Sequence, residues 1–313
     1  MKKKIVVSGK YKNEKMKELK EKFNVIETFD TLSFKKEVVD ADAVLSIHPI
    51  IDEALLCTTK NLKLISQAST GYDNLDIPAC TKHNVQVCNS PQLNEEVADI
   101  ALFHIINAMR KCSKASVKLK KGDWYHNPCV GMEINHKNLL IVGYGRIGKT
   151  IAKKARVLGL NLYATSPHLF EDDVKSDYTV KAISFEDGIV LADIVVLALP
   201  LNKNTHHIIN KDVLKIMKDT SVLVNISRGD LVDSEELIKA LDNGDLNYAS
   251  LDVFEGEPLA SDNEAFLVDN LYLTPHIGSF TLATRDRMQQ DAIKNVINYF
   301  EGNGTRFKVN TIK

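Results

Sequence analysis

Long apolar runs are missing from this chain of 313 residues. None approaches the ~20 residues that a membrane-spanning helix needs, so no membrane association is expected. Charge of one sign is missing too. Lys and Arg total 40 against 41 Asp and Glu, a net of −1, which offers no pull towards nucleic acid or an anionic surface. Cysteine is sparse and unpatterned: the five, at 57, 80, 88, 112 and 129, are odd in number and show neither CxxC nor metal-ligand spacing. They read as reduced thiols in a cytoplasmic protein without a metal. The opening MKKKIVVSGK has lysines and a strand-length run but no long apolar region or small-residue cleavage site, so no export signal is expected. Internal repeats and low-complexity stretches are absent as well.

What is present is alternation. Apolar runs trade places with helix-period segments almost throughout, the signature of an α/β protein, and the length allows two cores. Strands are predicted at 5–8, 24–28, 43–47, 62–67 and 85–88, enough for a five-stranded parallel unit. A second series is predicted at 139–142, 160–165, 193–199, 221–226, 248–254 and 271–274. Between them QLNEEVADIALFHIINAMRK predicts a long helix with Val97, Ile100, Ala101, Ile105 and Met109 on one apolar face. Asp233 with Glu236 forms a capping-box pattern for a helix ending near Gly244. A last helix, about 282–300, is expected to return to the first unit. The domains are therefore predicted as 1–97 with 286–313, and 98–285.

Two sets of residues point to chemistry. GYGRIG follows the strand at 139–142 and opens a helical pattern, the layout of a dinucleotide-binding turn. Gly143 permits the tight turn, Gly145 lets the backbone approach a pyrophosphate, and Gly148 lets helix and strand pack closely. The helix start then supplies N–H groups to the phosphates. Glycines in a turn are more often turn chemistry alone; the flanking strand and helix favour the nucleotide. The acidic residue expected about 20 residues further on should fall near Ser166, where ATSPH contains none. The second set is Arg228 in NISRGDLVD, Glu257 in DVFEGEP and His276 in LTPHIGS, each at or just past a predicted strand end. An arginine can clamp a carboxylate, a histidine can move a proton, and a glutamate can hold that histidine protonated. Taken singly they read as a surface arginine, a solvated acid and one structural histidine among nine. Taken with a nucleotide turn they point to hydride transfer on a small 2-oxo or 2-hydroxy acid.

The segments STGYDNLDI, NEEVADIAL, LLIVGYGRIGK, LVNISRGDLVD, LDVFEGEPL and LYLTPHIGS resemble the D-isomer-specific 2-hydroxyacid dehydrogenase family over nearly the whole length. The resemblance implies two Rossmann- or flavodoxin-like lobes with parallel sheets. The substrate lobe, 1–97 with 286–313, would be interrupted by the coenzyme lobe, 98–285, and substrate would bind in a cleft that closes against water. It implies that Arg228 binds the substrate carboxylate and polarises the 2-oxo group, that His276 is the acid/base, and that Glu257 supports it. Asp252 would hold the nicotinamide carboxamide, and the N–H groups of Thr70 and Gly71 would receive the carboxylate. Arg146 and Ile147 would sit on the pyrophosphate, with Pro200, Thr205, Ile226 and Ser227 lining the coenzyme cleft.

Within that family, NSPQLNEEVADIA and the SIHP loop, with His48 at the substrate, lean towards the glyoxylate/hydroxypyruvate reductase branch. No further domain is expected after the last helix, which argues against the longer phosphoglycerate dehydrogenases without excluding short ones. The family implies a homodimer, with 110–133 (Trp124, Tyr125, Pro128) as the reaching arm; the plainer reading is a local loop with a buried tryptophan. With no acid at Ser166, both NAD and NADP are expected to serve. Thr165, Ser166 and His168 can donate to a phosphate, while Glu171, Asp172 and Asp173 oppose one. A dinucleotide-sensing corepressor without turnover is the alternative, and Arg228, Glu257 and His276 together favour an enzyme.

Overall fold

Apolar runs that stay buried on both faces form strands of parallel sheets, because crossover helices cover each side. The computed structural model of the chain describes residues 2–47, 49–91, 94–124, 129–167 and 180–312, and shows two such sheets. In the first, β1 (Lys4–Ser8), β2 (Asn24–Thr28), β3 (Ala43–Ser46), β4 (Leu64–Gln67) and β5 (Gln86–Cys88) run parallel in the order β2-β1-β3-β4-β5. Alternate residues face opposite layers. Ile5, Val7, Leu45 and Leu64 pack with Ala292, Ile293, Val296 and Ile297 of the helix Leu282–Glu301. Val6, Val44, Ile65 and Val87 pack with Phe34, Leu55, Leu56 and Cys80. The last helix thus returns to the first sheet as expected, and Ser66 Oγ bonds the Ala292 carbonyl at 2.9 Å.

The second sheet contains β6 (Asn138–Val142), β7 (Asn161–Thr165), β8 (Val180–Ala182), β9 (Ile194–Leu197), β10 (Val222–Asn225), β11 (Tyr248–Leu251) and β12 (Leu271–Leu273). All pairings are parallel, in the order β12-β11-β10-β9-β6-β7-β8. Strand order reverses between β6 and β9, and in open α/β sheets the crevice at such a reversal is where ligands bind. β8 was not among the predicted strands; three residues at a sheet edge are too few to show a period. β9, β10 and β11 end earlier than their apolar runs. The extra apolar residues, Ile226, Val253 and Phe254 among them, are buried in the loops that leave the sheet.

The chain separates into two compact units, 1–93 with 280–313, and 94–279. These joins lie ahead of the helices Asn94–Arg110 and Leu282–Glu301, whereas the expected joins at 97/98 and 285/286 would have cut both. The helix Asn94–Arg110 packs on β10, β11 and the helix Arg146–Ala155. Its buried face is Val97, Ala98, Ala101, His104, Ile105, Asn107, Ala108 and Met109; Ile100, expected on it, sits at the margin. The Asp233 cap is present, accepting from Glu236 N at 3.1 Å, and the helix stops at Gly244 with φ 77°. Among the described residues, no helix is long and apolar enough to cross a membrane.

Candidate active site

The glycine turn does what its sequence requires. Gly143 has φ 99°, and a Cβ there would lie 2.5 Å from the Ala198 carbonyl oxygen after β9. A Cβ at Gly148 would lie 2.1 Å from the Gly143 carbonyl oxygen, so helix and turn touch. Gly145 is different: among the described residues, a Cβ there would meet no atom beyond its chain neighbours within 4 Å, so packing against them does not demand a glycine. It is the N-cap of the helix Arg146–Ala155, whose start carries no side-chain cap. Uncapped N–H groups behind a residue without a side chain fit a pyrophosphate. Across the strand-order reversal, Thr205 Oγ1 donates to the Pro200 carbonyl at 2.8 Å and shapes the loop after β9. Ser166 follows the end of β7, and the Thr165 carbonyl accepts from Gly143 N at 2.8 Å. His168, Glu171, Asp172 and Asp173 lie outside the described residues.

The charged set comes from three neighbouring strands, β10, β11 and β12. After β10, Asn225 Nδ2 holds the Arg228 carbonyl at 2.7 Å and Ser227 Oγ holds the Leu197 carbonyl at 3.0 Å. Ile226 is buried beside them. Arg228 Nη1 donates to its neighbour's carbonyl, Ser227 O, at 2.6 Å. Gly229 then meets the β11 loop so closely that a Cβ would stand 2.1 Å from the Phe254 carbonyl carbon. That contact brings the Arg228 and Glu257 loops together, and no motif had marked it.

Glu257 and His276 form a pair. Glu257 Oε1 accepts from Phe254 N at 2.7 Å, and Oε2 lies 2.8 Å from His276 Nδ1. Burial alone would push the Glu257 carboxyl up. The bonds from His276 and Phe254 N–H, with the charges of His276 and Arg228, outweigh burial and hold it below the ordinary glutamate range. The carboxylate therefore stays ionised into mild acid. Its grip on Nδ1 leaves Nε2 of a half-exposed imidazole for chemistry.

Asp252 turns out to organise the loop that carries His276. Its Oδ1 accepts from Thr274 Oγ1 at 2.5 Å and Ile277 N at 2.9 Å, and its Oδ2 from Gly278 N at 2.8 Å. Its carbonyl accepts from His276 N at 2.8 Å. His276 itself has φ 53°, the left-handed region that few non-glycine residues adopt. A carboxamide reaching Asp252 would need the second lone pair of Oδ2.

In the first unit, the loop after β4 presents Thr70 and Gly71. The Ser69 carbonyl accepts from Ser90 N at 2.9 Å and the Thr70 carbonyl from Asn89 Nδ2 at 2.7 Å. In a planar trans peptide the N–H points opposite to the C=O, so the N–H groups of Thr70 and Gly71 face away from the β5 loop. His48 lies outside the described residues. Elsewhere in this unit Glu53, Cys57 and His83 each bring a donor atom within 4.8 Å of the others, a grouping the cysteine spacing had concealed. One Glu53 oxygen already takes Lys82 Nζ at 2.8 Å and His83 Nε2 at 3.1 Å, so the cluster is an ion-paired surface knot.

Comparison with known proteins adds identity to this geometry. Residues 102–278 match the family described as "D-isomer specific 2-hydroxyacid dehydrogenase, NAD binding domain". The chain is 34% identical to a glyoxylate reductase of Thermococcus onnurineus, covering 96% of this chain and 94% of that protein. It is also 34% identical to glyoxylate/hydroxypyruvate reductase B of Erwinia tasmaniensis, over 84% of this chain and 83% of the other. Among solved structures, a glyoxylate reductase from Paecilomyes thermophila superposes with a TM-score of 0.88 at 27% identity, covering 98% of each chain.

Proposed function

Because the chain belongs to the D-isomer-specific 2-hydroxyacid dehydrogenase family, and is a nicotinamide-dependent oxidoreductase of 2-oxo and 2-hydroxy acids, we propose that Arg228, Glu257 and His276 carry its chemistry and that its substrate is of the glyoxylate or hydroxypyruvate type. The observation that carries this reading is the His276–Glu257 pair at 2.8 Å, with Arg228 close enough for its charge to act on Glu257. The names of the relatives support the substrate size.

When bound, the reduced coenzyme, NADH or NADPH, would supply the hydride for C2 of the 2-oxo acid. The chain's own residues do the rest. Arg228 clamps the substrate carboxylate with its guanidinium fork and stabilises negative charge developing on the 2-oxo oxygen. His276, held by Glu257 through Nδ1, donates the Nε2 proton to that oxygen. In the reverse direction the neutral ring accepts it. Thr70 and Gly71 offer N–H groups suited to a carboxylate. On the coenzyme side, the turn from Gly143 to Gly148 with Arg146 and Ile147 would hold the pyrophosphate, and Ser166 would meet the adenosine ribose. Pro200, Thr205, Ile226 and Ser227 line the remainder, and Asp252 offers its free lone pair to the carboxamide.

A homodimer fits the exposed apolar residues of 110–133. Trp124 is 75% exposed rather than buried, and Val117, Leu119 and Val130 are exposed with it; Tyr125 and Pro128 lie outside the described residues. Five unpaired cysteines support a cytoplasmic setting, and the balanced charge supports a small-molecule partner alone. The test is oxidation of both reduced coenzymes in the presence of glyoxylate, hydroxypyruvate, pyruvate and branched 2-oxo acids. Turnover should be fastest with glyoxylate and hydroxypyruvate. Coenzyme binding with no oxidation of any would overturn the reading.

A further inference from the structure

A buried histidine stands behind the His276 loop, and the chemistry above does not use it. His104, on the helix Asn94–Arg110, is fully buried. Its Nδ1 lies 2.7 Å from Ser250 Oγ on β11, and its Nε2 lies 3.0 Å from Thr274 Oγ1 just past β12. Thr274 Oγ1 in turn lies 2.5 Å from Asp252 Oδ1.

Counting donors settles every proton in this chain. A carboxylate only accepts, so the Thr274 hydroxyl hydrogen goes to Asp252. The Thr274 oxygen then accepts from His104, which places the ring hydrogen on Nε2. Nδ1 is bare and accepts the hydroxyl hydrogen of Ser250. Ser250, His104 and Thr274 therefore all donate in one direction, ending on the carboxylate, an arrangement in which each bond strengthens the next. The order requires a neutral ring, since an imidazolium would donate from both nitrogens. Burial supplies that condition by pushing the His104 pKa down to about 4.

The far end of the chain shows what it is for. Asp252 is the group on which the N–H groups of Ile277 and Gly278 converge, and its carbonyl holds His276 N. His276 keeps its left-handed backbone only while these bonds hold the loop. An aliphatic residue would fill the place of His104 as its neighbours Ala101, Ile105 and Ala108 do, so packing alone does not call for a histidine. We infer that His104 is a positioning residue of the reduction: through Thr274 it fixes the Asp252 carboxylate, and so the loop that sets His276 beside Glu257. The inference rests on the reading of His276 as the acid/base.

The test compares His104→Leu, which removes the donor, with His104→Gln, which can still donate to Thr274, and with Thr274→Val. His104→Leu should lower kcat for reduction about tenfold with little change in substrate KM, the cost of a catalytic group displaced from afar. His104→Gln should recover most of that loss. Thr274→Val should match the loss, and the double variant should be no worse than the poorer single, because both cut one chain. Imidazole nitrogen NMR of the wild type should show His104 protonated on Nε2 alone at neutral pH. Should His104→Leu fail to fold, Thr274→Val decides by the same measure. A His104→Leu enzyme that is folded and within twofold of wild-type kcat overturns the inference, as do losses that simply multiply in the double variant. His276→Asn is the control. If it abolishes turnover while His104→Leu is neutral, only the positioning role falls. If it retains turnover, the assignment of His276 falls and takes this inference with it.

Discussion

The two sheets share a parallel, helix-covered architecture but differ in what stands at their carboxyl ends. Strands of the first sheet end in neutral residues: Ser8, Thr28, Ser46, Gln67 and Cys88. Those of the second lead into Arg228, Asp252, Glu257 and His276. The neutral end can receive an anion through oriented peptide N–H groups at no cost in charge burial. The charged end can clamp, donate and accept protons, and every titratable side chain there is tied to a partner within its own unit. One fold plan thus serves two tasks, and the difference lies in the loops.

The largest effects should follow from breaking the charged end. His276→Asn should reduce the rate by roughly 10²–10⁴-fold, the usual contribution of a positioned acid/base. Arg228→Lys should be severe as well, since a point charge does not replace a planar fork. Steady-state kinetics of both variants check this, and a lysine variant with normal turnover and saturation would remove the clamp from the scheme.

Next in size is a pH effect confined to the second unit. His104 has a folded pKa of about 4 against an ordinary 6.5, so between those values the unfolded chain binds the extra proton. Stability therefore rises with pH through that window. The contribution of neutral His104 is complete above about pH 6.5 and lost as pH falls towards 4. By linkage it amounts to something on the order of 3 kcal/mol. Urea unfolding at pH 7 and pH 4.5 should show the loss in wild type and a flatter dependence in His104→Leu. Equal slopes in the two proteins would mean that another group controls acid unfolding.

Coenzyme choice should respond more modestly. Ser166→Asp adds an anion that accepts from ribose hydroxyls and repels a 2′-phosphate, so the kcat/KM ratio should move towards NAD by about tenfold. The wild type should use both coenzymes; a preference for NADH by several orders of magnitude would show that another residue supplies the selection. The smallest effect is expected at the neutral end. Asn89→Ala releases the Thr70 carbonyl. It should raise substrate KM a few-fold, about the worth of one hydrogen bond, and leave kcat nearly unchanged. A fall in kcat with unchanged KM would contradict the division of labour between the sheets.

Much of this was legible in the residues. β1 and β6 follow their apolar runs almost residue for residue, because a parallel strand buried on both faces must be apolar throughout. The turn from Gly143 to Gly148 and the Asp233 cap could be placed because their requirements are local: a positive φ, a close backbone, an oxygen near a helix start. β9, β10 and β11 are shorter than the apolar runs that contain them, since buried loops are as apolar as strands.

By itself, then, the sequence determined the alternation of elements, the nucleotide turn and the residue types of the Arg228, Glu257 and His276 set. Each of those is encoded within a few neighbouring positions. Only the tertiary structure decided that Glu257 Oε2 meets His276 Nδ1, that Gly229 lets two loops touch, and that Asp252 holds the loop from Thr274 to Gly278. It also decided the partners of His104, which in the sequence is a polar interruption of an apolar face and in the fold is bonded to Ser250 and Thr274. The physical reason is range: propensity and turn chemistry act between neighbours, while a hydrogen bond between residues far apart in the chain exists only once the sheet has set their distance.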